Sequence, residues 1–409
     1  MNFEHFLVKK ISNANFHKNS ISSPIIKIGT TAISIGIIVM IISFAIGTGM
    51  QKEIKDKISS VEGHINIQSF NNTSNENISI PINPNNDFIN KISALNGVDK
   101  VDKISTKFGI LRTQNEFHAG FFKGVNSDYS WNIKNYIIKG EIPLISEKTS
   151  NQILISKSLS EKLNIIVGDD LQMIFSKNNS STPSIIKFIV TGIFNSGFEE
   201  LDLKYVYGDM RHIQRINKWN NNEVSSLEIY LDDFDKIDLT SNIIYENSPP
   251  EFDVINSKDK YYSIFEWIKL FDKNIAAIFV IMIIVASINI VSILLVLILE
   301  RINMIGILKA LGATTFTVRK FFIYISMLLL TRGVIFGNLI ALILIFIQYK
   351  FDIVSLDETI YYVDYVPVYL NFKHLIFINL LVLLLCFCSI LIPSYIVSKI
   401  NPKDIIKFD

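Results

Sequence analysis

Apolar residues are concentrated in four long blocks, and this pattern is the most informative feature of the sequence. Residues 28–50, 274–299 and 375–398 contain no charged side chain, and residues 321–349 contain only Arg332. An α-helix rises about 1.5 Å per residue, so about 20 apolar residues cross a hydrocarbon core of roughly 30 Å. Each block therefore predicts a transmembrane helix.

The first block has an alternative interpretation as a cleaved signal peptide. Ala45 and Gly47 faintly resemble a cleavage site. However, residues 1–24 precede the block, and the apolar run is longer than the hydrophobic region of a signal peptide. We therefore interpret the block as an uncleaved anchor.

The charges of the connecting segments predict the orientation in the membrane. The short segments 1–27, 300–320 and 399–409 together carry a net charge of +7, whereas the long segment 51–273 carries −5. Short loops rich in Lys and Arg stay on the cytoplasmic side. We therefore predict that both termini and residues 300–320 are cytoplasmic.

These features divide the chain into nine predicted segments. The membrane crossings are 25–50, 273–299, 321–349 and 374–398. The remaining segments are a cytoplasmic N-terminal segment (1–24), an extracytoplasmic domain (51–272), a cytoplasmic loop (300–320), a short outer loop (350–373) and a cytoplasmic tail (399–409).

The segment 51–272 is long enough to fold as a domain with its own core. It contains runs rich in β-branched and aromatic residues, bounded by Asn, Gly, Ser and Pro, which predict strands. The predicted strands are 64–69, 107–112, 153–155, 171–175, 185–194, 205–207 and 227–231. Helical patterns lie between them at 86–94, 158–163 and 209–217. The predicted fold is an α+β domain inserted between the first and second transmembrane helices.

Residues that would support catalysis or metal binding do not cluster in the sequence. The six histidines are scattered, and the two cysteines, Cys386 and Cys388, lie inside the last apolar block. The chain contains no P-loop motif and therefore cannot bind nucleotide phosphates in that way. The near-neutral net charge of +1 gives no reason to expect nucleic acid as a partner. We predict a membrane protein that is not itself an enzyme, without a metal site or bound cofactor.

The segment 300–322 carries the most specific pattern. Ile302, Ile305, Leu308 and Leu311 recur near helical spacing, and Gly312 follows where a glycine commonly ends a helix. From periodicity alone, a helix lying on the lipid headgroups is an equally good interpretation.

The motif E-R-x-x-x-I-G-I-L-K-A-L-G-A at 300–313 resembles the signature of FtsX/MacB-type ABC transporter permeases. Shorter matches resemble the lipoprotein-releasing LolC and LolE branch. They are the stretch 285–301 with Asn289, the outer loop 361–368, Pro393, Asn401-Pro402, and the landmarks at 62–65, 153–156 and 168–169. The resemblance covers essentially the whole chain.

The resemblance implies a type VII ABC transporter permease of the bacterial inner membrane. Its implied partners are a LolD-like ATPase that binds ATP and Mg²⁺, a second permease subunit in a homodimer or heterodimer, a lipoprotein cargo, membrane lipids and a periplasmic chaperone. It also implies that a coupling helix seats in the ATPase. The matching residues here are Ile305, Gly306, Leu308, Ala310, Leu311 and Gly312.

The same resemblance implies a cavity that receives the acyl chains of the cargo. The candidate lining residues are Ile41, Phe44, Met50, Ile268, Phe271, Ile275, Tyr361 and Tyr362. Each could equally be an ordinary packing residue. Arg332 is costly inside a membrane and is a candidate for a functional or interhelical role. Gly333 and Gly337 predict a close approach to a neighbouring helix.

One member of the Lol branch carries a protruding hairpin that recruits the chaperone. Here the matching loop, 176–184, is polar, and at ~3.3 Å per residue its arms would reach only about 13 Å. We therefore expect this chain to lack that hook, unless loop length drifts freely and another surface recruits the carrier. The alternative functions are a MacB-like exporter of peptides or small molecules and an FtsX-like transmitter that does not transport.

Overall fold

The computed structural model describes residues 22–72, 80–177 and 180–396. The predicted N-terminal segment lies outside these residues except for 22–24, and the predicted tail lies outside them entirely. The described chain divides into two compact units. One, the membrane unit, comprises residues 22–51, 268–355 and 365–396, and the other, the mixed unit, comprises residues 52–267 and 356–364.

The described helices and strands follow in chain order. The helices are α1 (Ser22–Glu62), α2 (Asn86–Ser93), α3 (Lys157–Leu163), α4 (Glu199–Lys204), α5 (Arg211–Asn217), α6 (Ile237–Asn247), α7 (Ser257–Lys260), α8 (Tyr262–Glu300), α9 (Ile302–Ala310), α10 (Thr315–Phe351), α11 (Glu358–Tyr361) and α12 (Phe372–Ile396). The strands are β1 (Ile65–Ser69), β2 (Val98–Arg112), β3 (Phe117–Val125), β4 (Ile137–Gly140), β5 (Gln152–Ser156), β6 (Asp170–Lys177), β7 (Ser180–Phe194), β8 (Tyr205–Asp209), β9 (Ser226–Leu231) and β10 (Phe252–Asn256).

Four of the helices, α1, α8, α10 and α12, are long and apolar enough to cross a membrane. The predicted architecture of four apolar helices with a mixed α/β domain between the first and second is confirmed. The helix α1 continues beyond its apolar block to Glu62, because residues 51–62 contain neither Gly nor Pro. Gly63 follows the last residue of α1, and its φ of +70° lies in the left-handed region that glycine adopts readily.

The two glycines predicted to bring helices together do so between α1 and α10. A Cβ added at Gly333 would lie 2.7 Å from the Ile33 side chain, and one added at Gly337 would lie 2.9 Å from Ile37. The hydroxyl of Ser34 donates to the carbonyl of Gly333 at 3.0 Å. The small-xxx-small prediction is therefore confirmed, with α1 as the neighbouring helix.

A reciprocal pair of amides joins α10 to α12. Asn338 Nδ2 donates to Asn379 Oδ1 at 2.7 Å, and Asn379 Nδ2 donates to Asn338 Oδ1 at 2.9 Å. Farther along α12, the hydroxyl of Ser389 lies 2.9 Å from that of Ser287 on α8. These bonds satisfy polar groups that would otherwise be costly in an apolar surrounding.

The strands of the mixed unit form one sheet, part of which closes on itself. Pairing runs from β2 through β3, β8, β5, β7 and β6 and returns to β2. The interior of this ring is filled by inward-facing side chains such as Phe122, Phe175 and Phe188, which are fully buried. Three of the remaining strands extend the sheet in the order β10, β1, β9 alongside β2, and the fourth, β4, pairs with β7. A second core lies under this extension and includes Ile67, Leu227 and Ile244.

All seven predicted strands are present, but the predicted loop between β6 and β7 is wrong in extent. The two strands continue to pair as far as Lys177 and Ser180, so only residues 178–179 connect them, and these two lie outside the described residues. Pairing continues because Ser and Thr tolerate a strand and because Pro183 falls where the register is shifted.

Candidate functional site

The segment between α8 and α10 folds as the helix that its spacing predicted. The helix α9 spans Ile302–Ala310, and Gly312 follows it with a φ of +94°. The amide of Ala313 donates to the carbonyl of Leu308 at 2.9 Å, which satisfies one carbonyl of the last turn. Thr314 then caps α10 by accepting a hydrogen bond from the amide of Thr317 at 3.2 Å.

The two faces of this segment have different environments. Ile305 is fully buried and Gly306 is also buried, because this face packs into the core of the membrane unit. Three large apolar side chains of the segment 300–322 are instead exposed: Ile307 is 56% exposed, Leu311 80% and Phe316 73%. We call Ile307, Leu311 and Phe316 the exposed apolar face.

The predicted coupling residues therefore divide into two groups. Leu308 is half-buried, whereas Ala310, Leu311 and Gly312 are exposed. Ile305 and Gly306 are buried within the chain itself. The role of the set in ATPase coupling stays a prediction. Helical spacing failed to separate the faces because isoleucine and leucine occur on both. For the same reason, helical spacing did not indicate that Ile307 and Phe316 are exposed.

The candidate cavity residues of the membrane unit are largely buried within the chain itself. Ile41 is 0% exposed, Met50 2% and Ile268 3%. Their burial favours packing between helices for these three residues over the lining of an open cavity. Phe44, Phe271 and Ile275 are only partly buried and retain surface. The role of the set in cargo binding stays a prediction.

The phenyl ring of Phe44 belongs to an aromatic group at one end of the membrane unit. Its centroid lies 6.2 Å from that of Phe279 and 4.9 Å from the ring of His374. Nearby, Gly47 permits close packing of α8, since a Cβ there would lie 2.4 Å from the side chain of Ile275.

Tyr361 and Tyr362 belong to the mixed unit, as does the whole loop Leu356–Asp364. The ring of Tyr362 stacks on Phe198, with centroids 4.5 Å apart and an interplanar angle of 15°. It also meets the edge of Trp267 at 5.9 Å. No sequence pattern predicts these contacts, because the partners lie far apart along the chain.

Buried charges connect the end of α1 to the sheet and to the junction between α7 and α8. The carboxylate of Glu62 accepts hydrogen bonds from Tyr205 and Tyr261, both at 2.8 Å, and from Lys260 at 2.7 Å. Burial acts to raise the pKa of Glu62, but the positive charges of Lys260 and Lys123 outweigh it and lower the pKa to about 2. Glu62 is therefore ionised at neutral pH.

A second buried pair lies beside the first. Lys123 donates to Glu228 and to the carbonyl of Val61, and both side chains are 1% exposed. The rings of Tyr205 and Tyr207 lie 5.6 and 5.3 Å from the Lys123 ammonium group. The hydrogen bonds and ion pair satisfy these buried charges, so we interpret the arrangement as structural. Among residues 22–72, 80–177 and 180–396, no group of three or more His, Cys, Asp or Glu side chains is placed to hold a metal ion.

Comparison with known families finds two matches that together cover most of the chain. A profile described as MacB-like periplasmic core domain matches residues 30–244. A profile described as FtsX-like permease C-terminal matches residues 276–402. Neither description is of a catalytic domain.

Curated relatives are similar over nearly their full length. A protein of Buchnera aphidicola subsp. Schizaphis graminum, "Lipoprotein-releasing system transmembrane protein LolC", is 25% identical and aligns over 93% of each chain. The LolC protein of Buchnera aphidicola subsp. Acyrthosiphon pisum is 27% identical over 96% of this chain and 94% of its own. A LolE protein of Haemophilus influenzae is 20% identical over 95% of both.

Two solved structures are similar to part of the chain. The periplasmic region of MacB from Actinobacillus actinomycetemcomitans is 16% identical, with a TM-score of 0.34, over 50% of this chain and 95% of that one. The extracellular domain of the ABC-type transporter YknZ from Gram-positive bacteria is 18% identical, with a TM-score of 0.31, over 47% of this chain and 99% of that one.

Proposed function

Because the chain belongs to the FtsX/MacB-type ABC transporter permeases, we propose that it is the membrane subunit of a transporter that releases lipoproteins from the outer leaflet of the inner membrane. The family implies that such a multi-pass permease works with an ATPase subunit. In this proposal ATP and Mg²⁺ are bound by that subunit, and a second permease subunit completes the transporter.

The observation that supports lipoprotein release is similarity from end to end. Relatives named for the lipoprotein-releasing system align over more than nine tenths of this chain, including both the outer domain and the four helices. A shared outer domain alone would favour a MacB-like exporter equally well. The match of the complete architecture favours the lipoprotein-releasing branch.

The exposed apolar face supplies a docking surface for the ATPase. Three large apolar side chains, Ile307, Leu311 and Phe316, project from a segment that also carries Lys309, Arg319 and Lys320. The excess of positive charge in this segment supports a cytoplasmic location. Burial of exposed apolar side chains against a partner groove is the main source of affinity in such contacts.

Substitution on this face tests the ATPase contact. We expect Leu311→Asp to abolish copurification of the ATPase, because it places a charge in an apolar interface. Asn303→Asp, on an exposed polar position of the same helix, should leave copurification unchanged. If Leu311→Asp retains the ATPase and its stimulated turnover, α9 is an interfacial helix and the docking assignment is wrong.

Photocrosslinking tests the cargo. A photoreactive residue at Phe44, Phe271 or Ile275 should capture an acylated protein that mass spectrometry identifies by its lipidated N-terminus. A photoreactive residue in place of Leu380, which lies on α12 and is 62% exposed, serves as the control for contact with bulk lipid. Capture of peptides or small molecules in place of lipoproteins would favour the exporter, and capture of nothing at normal protein levels would favour the transmitter.

A further inference from the structure

The loop between α10 and α12 belongs to the mixed unit, although both of these helices belong to the membrane unit. Residues Leu356–Asp364 group with the mixed unit, whereas Ser355 and Tyr365 on either side group with the membrane unit. The base of the loop is closed by a hydrogen bond from the amide of Leu356 to the carbonyl of Asp364 at 2.9 Å. The mixed unit is therefore joined to the membrane helices by four chain crossings, although its sequence is inserted between only two of them.

The backbone of this loop has an uncommon conformation directly after the short helix α11. Tyr362 has a φ of +62°, in the left-handed region that residues other than glycine rarely occupy. Such conformations persist where the surroundings fix them, and they often mark functional positions. Here the ring is fixed by the stack on Phe198, which is 3% exposed, and by the edge of Trp267.

The backbone carbonyl of Tyr362 also accepts a hydrogen bond from a buried side chain. Lys57, which is 6% exposed, donates to this carbonyl at 3.0 Å. Gly197 permits the close approach, because a Cβ at that position would lie 2.3 Å from the same oxygen. A second bond, from Asn195 Nδ2 to Glu358 Oε1 at 2.7 Å, holds the other side of the loop.

These contacts bring together parts of the chain that lead into all four long helices. Lys57 lies on α1 and Trp267 lies on α8, whereas Tyr362 lies between α10 and α12. Asn195 and Phe198 follow β7 of the closed sheet. One small cluster therefore contains residues from each of the three segments that connect the mixed unit to the membrane helices.

We propose that the loop Leu356–Asp364 is a latch that ties the ends of α10 and α12 to the mixed unit, and that Tyr362 is the positioning residue that keeps it closed. When the mixed unit moves during the ATPase cycle, a closed latch transmits that movement to α10 and α12. Without the latch, only α1 and α8 would follow. The inference concerns the movement of the transporter and does not depend on which cargo it carries.

The first experiment measures whether Tyr362 closes the latch. Asn195→Cys and Glu358→Cys are combined with Cys386→Ser and Cys388→Ser, and a short bifunctional maleimide is applied to the full chain in native membranes. Mass spectrometry of the digested protein quantifies the cross-link. We expect efficient cross-linking that falls about tenfold with Tyr362→Ala, which loses the aromatic stack, and is unchanged with Tyr362→Phe. An unchanged yield with Tyr362→Ala would overturn the role of Tyr362.

The second experiment measures whether the latch transmits movement. In the complex with its ATPase, Lys350→Cys at the end of α10 is labelled by a membrane-impermeant maleimide, with and without ATP and vanadate. We expect a nucleotide-dependent labelling rate that Tyr362→Ala removes while ATP hydrolysis continues and that Tyr362→Phe retains. If the nucleotide dependence survives Tyr362→Ala, or if hydrolysis and protein level fall in parallel with it, the residue is merely structural.

A more conservative variant, Phe198→Leu, tests the same stack if Tyr362→Ala fails to fold. Phe198→Leu keeps an apolar side chain in the buried position but loses the stack, and it should reproduce both effects of Tyr362→Ala. Since neither experiment requires cargo, failure to capture a lipoprotein would count against the proposed function and leave this test intact.

Discussion

At the scale of single residues, His64 shows how the fold changes the pKa of a buried side chain. Its Nδ1 accepts a hydrogen bond from the amide of Leu231 at 2.8 Å, and its ring lies against Tyr230 and Phe234. Burial lowers the pKa of His64 from the usual 6.5 to about 4. Protonation would replace the acceptor lone pair with a second donor and break the bond to Leu231.

The sign of the pH dependence follows from this lowered pKa. The unfolded chain binds the proton more readily than the folded chain, so the contribution of His64 is complete above pH 6.5 and is lost as the pH falls towards 4. We expect the wild type to lose up to about 3 kcal/mol more than His64→Asn between pH 7 and pH 4. Chemical unfolding of the full chain in detergent at both pH values measures the difference.

The comparison with His64→Asn removes contributions that both proteins share. Asp202, for example, titrates in the opposite sense, because burial raises its pKa to about 6 and acid therefore favours the folded state. An identical pH dependence in the two proteins would show that His64 does not titrate as its surroundings indicate.

At the scale of helices, the Asn338–Asn379 pair makes a prediction about the packing of α10 on α12. Each amide satisfies the other, so a single substitution leaves a polar group without its partner in an apolar surrounding. We expect Asn338→Leu to destabilise the protein by about 1–2 kcal/mol. The double variant with Asn379→Leu should be less destabilised than the sum of the two single variants. The double-mutant cycle is completed by measuring the free energy of unfolding of the wild type, both single variants and the double variant in mixed micelles. Strictly additive changes in this free energy would show that the two amides do not interact.

The helices and strands also show what the sequence could predict and where it failed. Long apolar blocks, of which only the one in α10 contains a charged residue, Arg332, identify α1, α8, α10 and α12. Few structures other than a membrane helix bury so long a run. The strand β3 was missed, because its sequence alternates apolar residues with His, Lys and two glycines that weaken a strand pattern.

The candidate sites were harder to predict than the fold. The motif singles out the segment 300–313 as the candidate coupling segment. Which of its side chains are exposed depends on tertiary packing, and the sequence does not show this because apolar residues lie on both faces of the helix. The contacts of Tyr362 with Phe198 and Lys57 join residues that are far apart in the sequence. No local pattern reports such pairs.

At the scale of the whole molecule, the orientation predicted from the charges can be measured directly. In a Cys386→Ser, Cys388→Ser background, a cysteine at Lys187 or Lys350 should react with a membrane-impermeant maleimide in spheroplasts. A cysteine at Phe316 should react only after the membrane is opened. Reversed labelling would contradict both the orientation and the docking of the ATPase on α9.

The central claim is that this permease releases lipoproteins, and reconstitution tests it most directly. The chain is purified with its ATPase and any second permease subunit and placed in proteoliposomes that contain an acylated lipoprotein, with a soluble lipoprotein carrier outside. We predict that ATP transfers the lipoprotein to the carrier, that Leu311→Asp abolishes the transfer, and that a lipoprotein without acyl chains is not carried. Full ATP hydrolysis with no release of the acylated protein would contradict the proposed function.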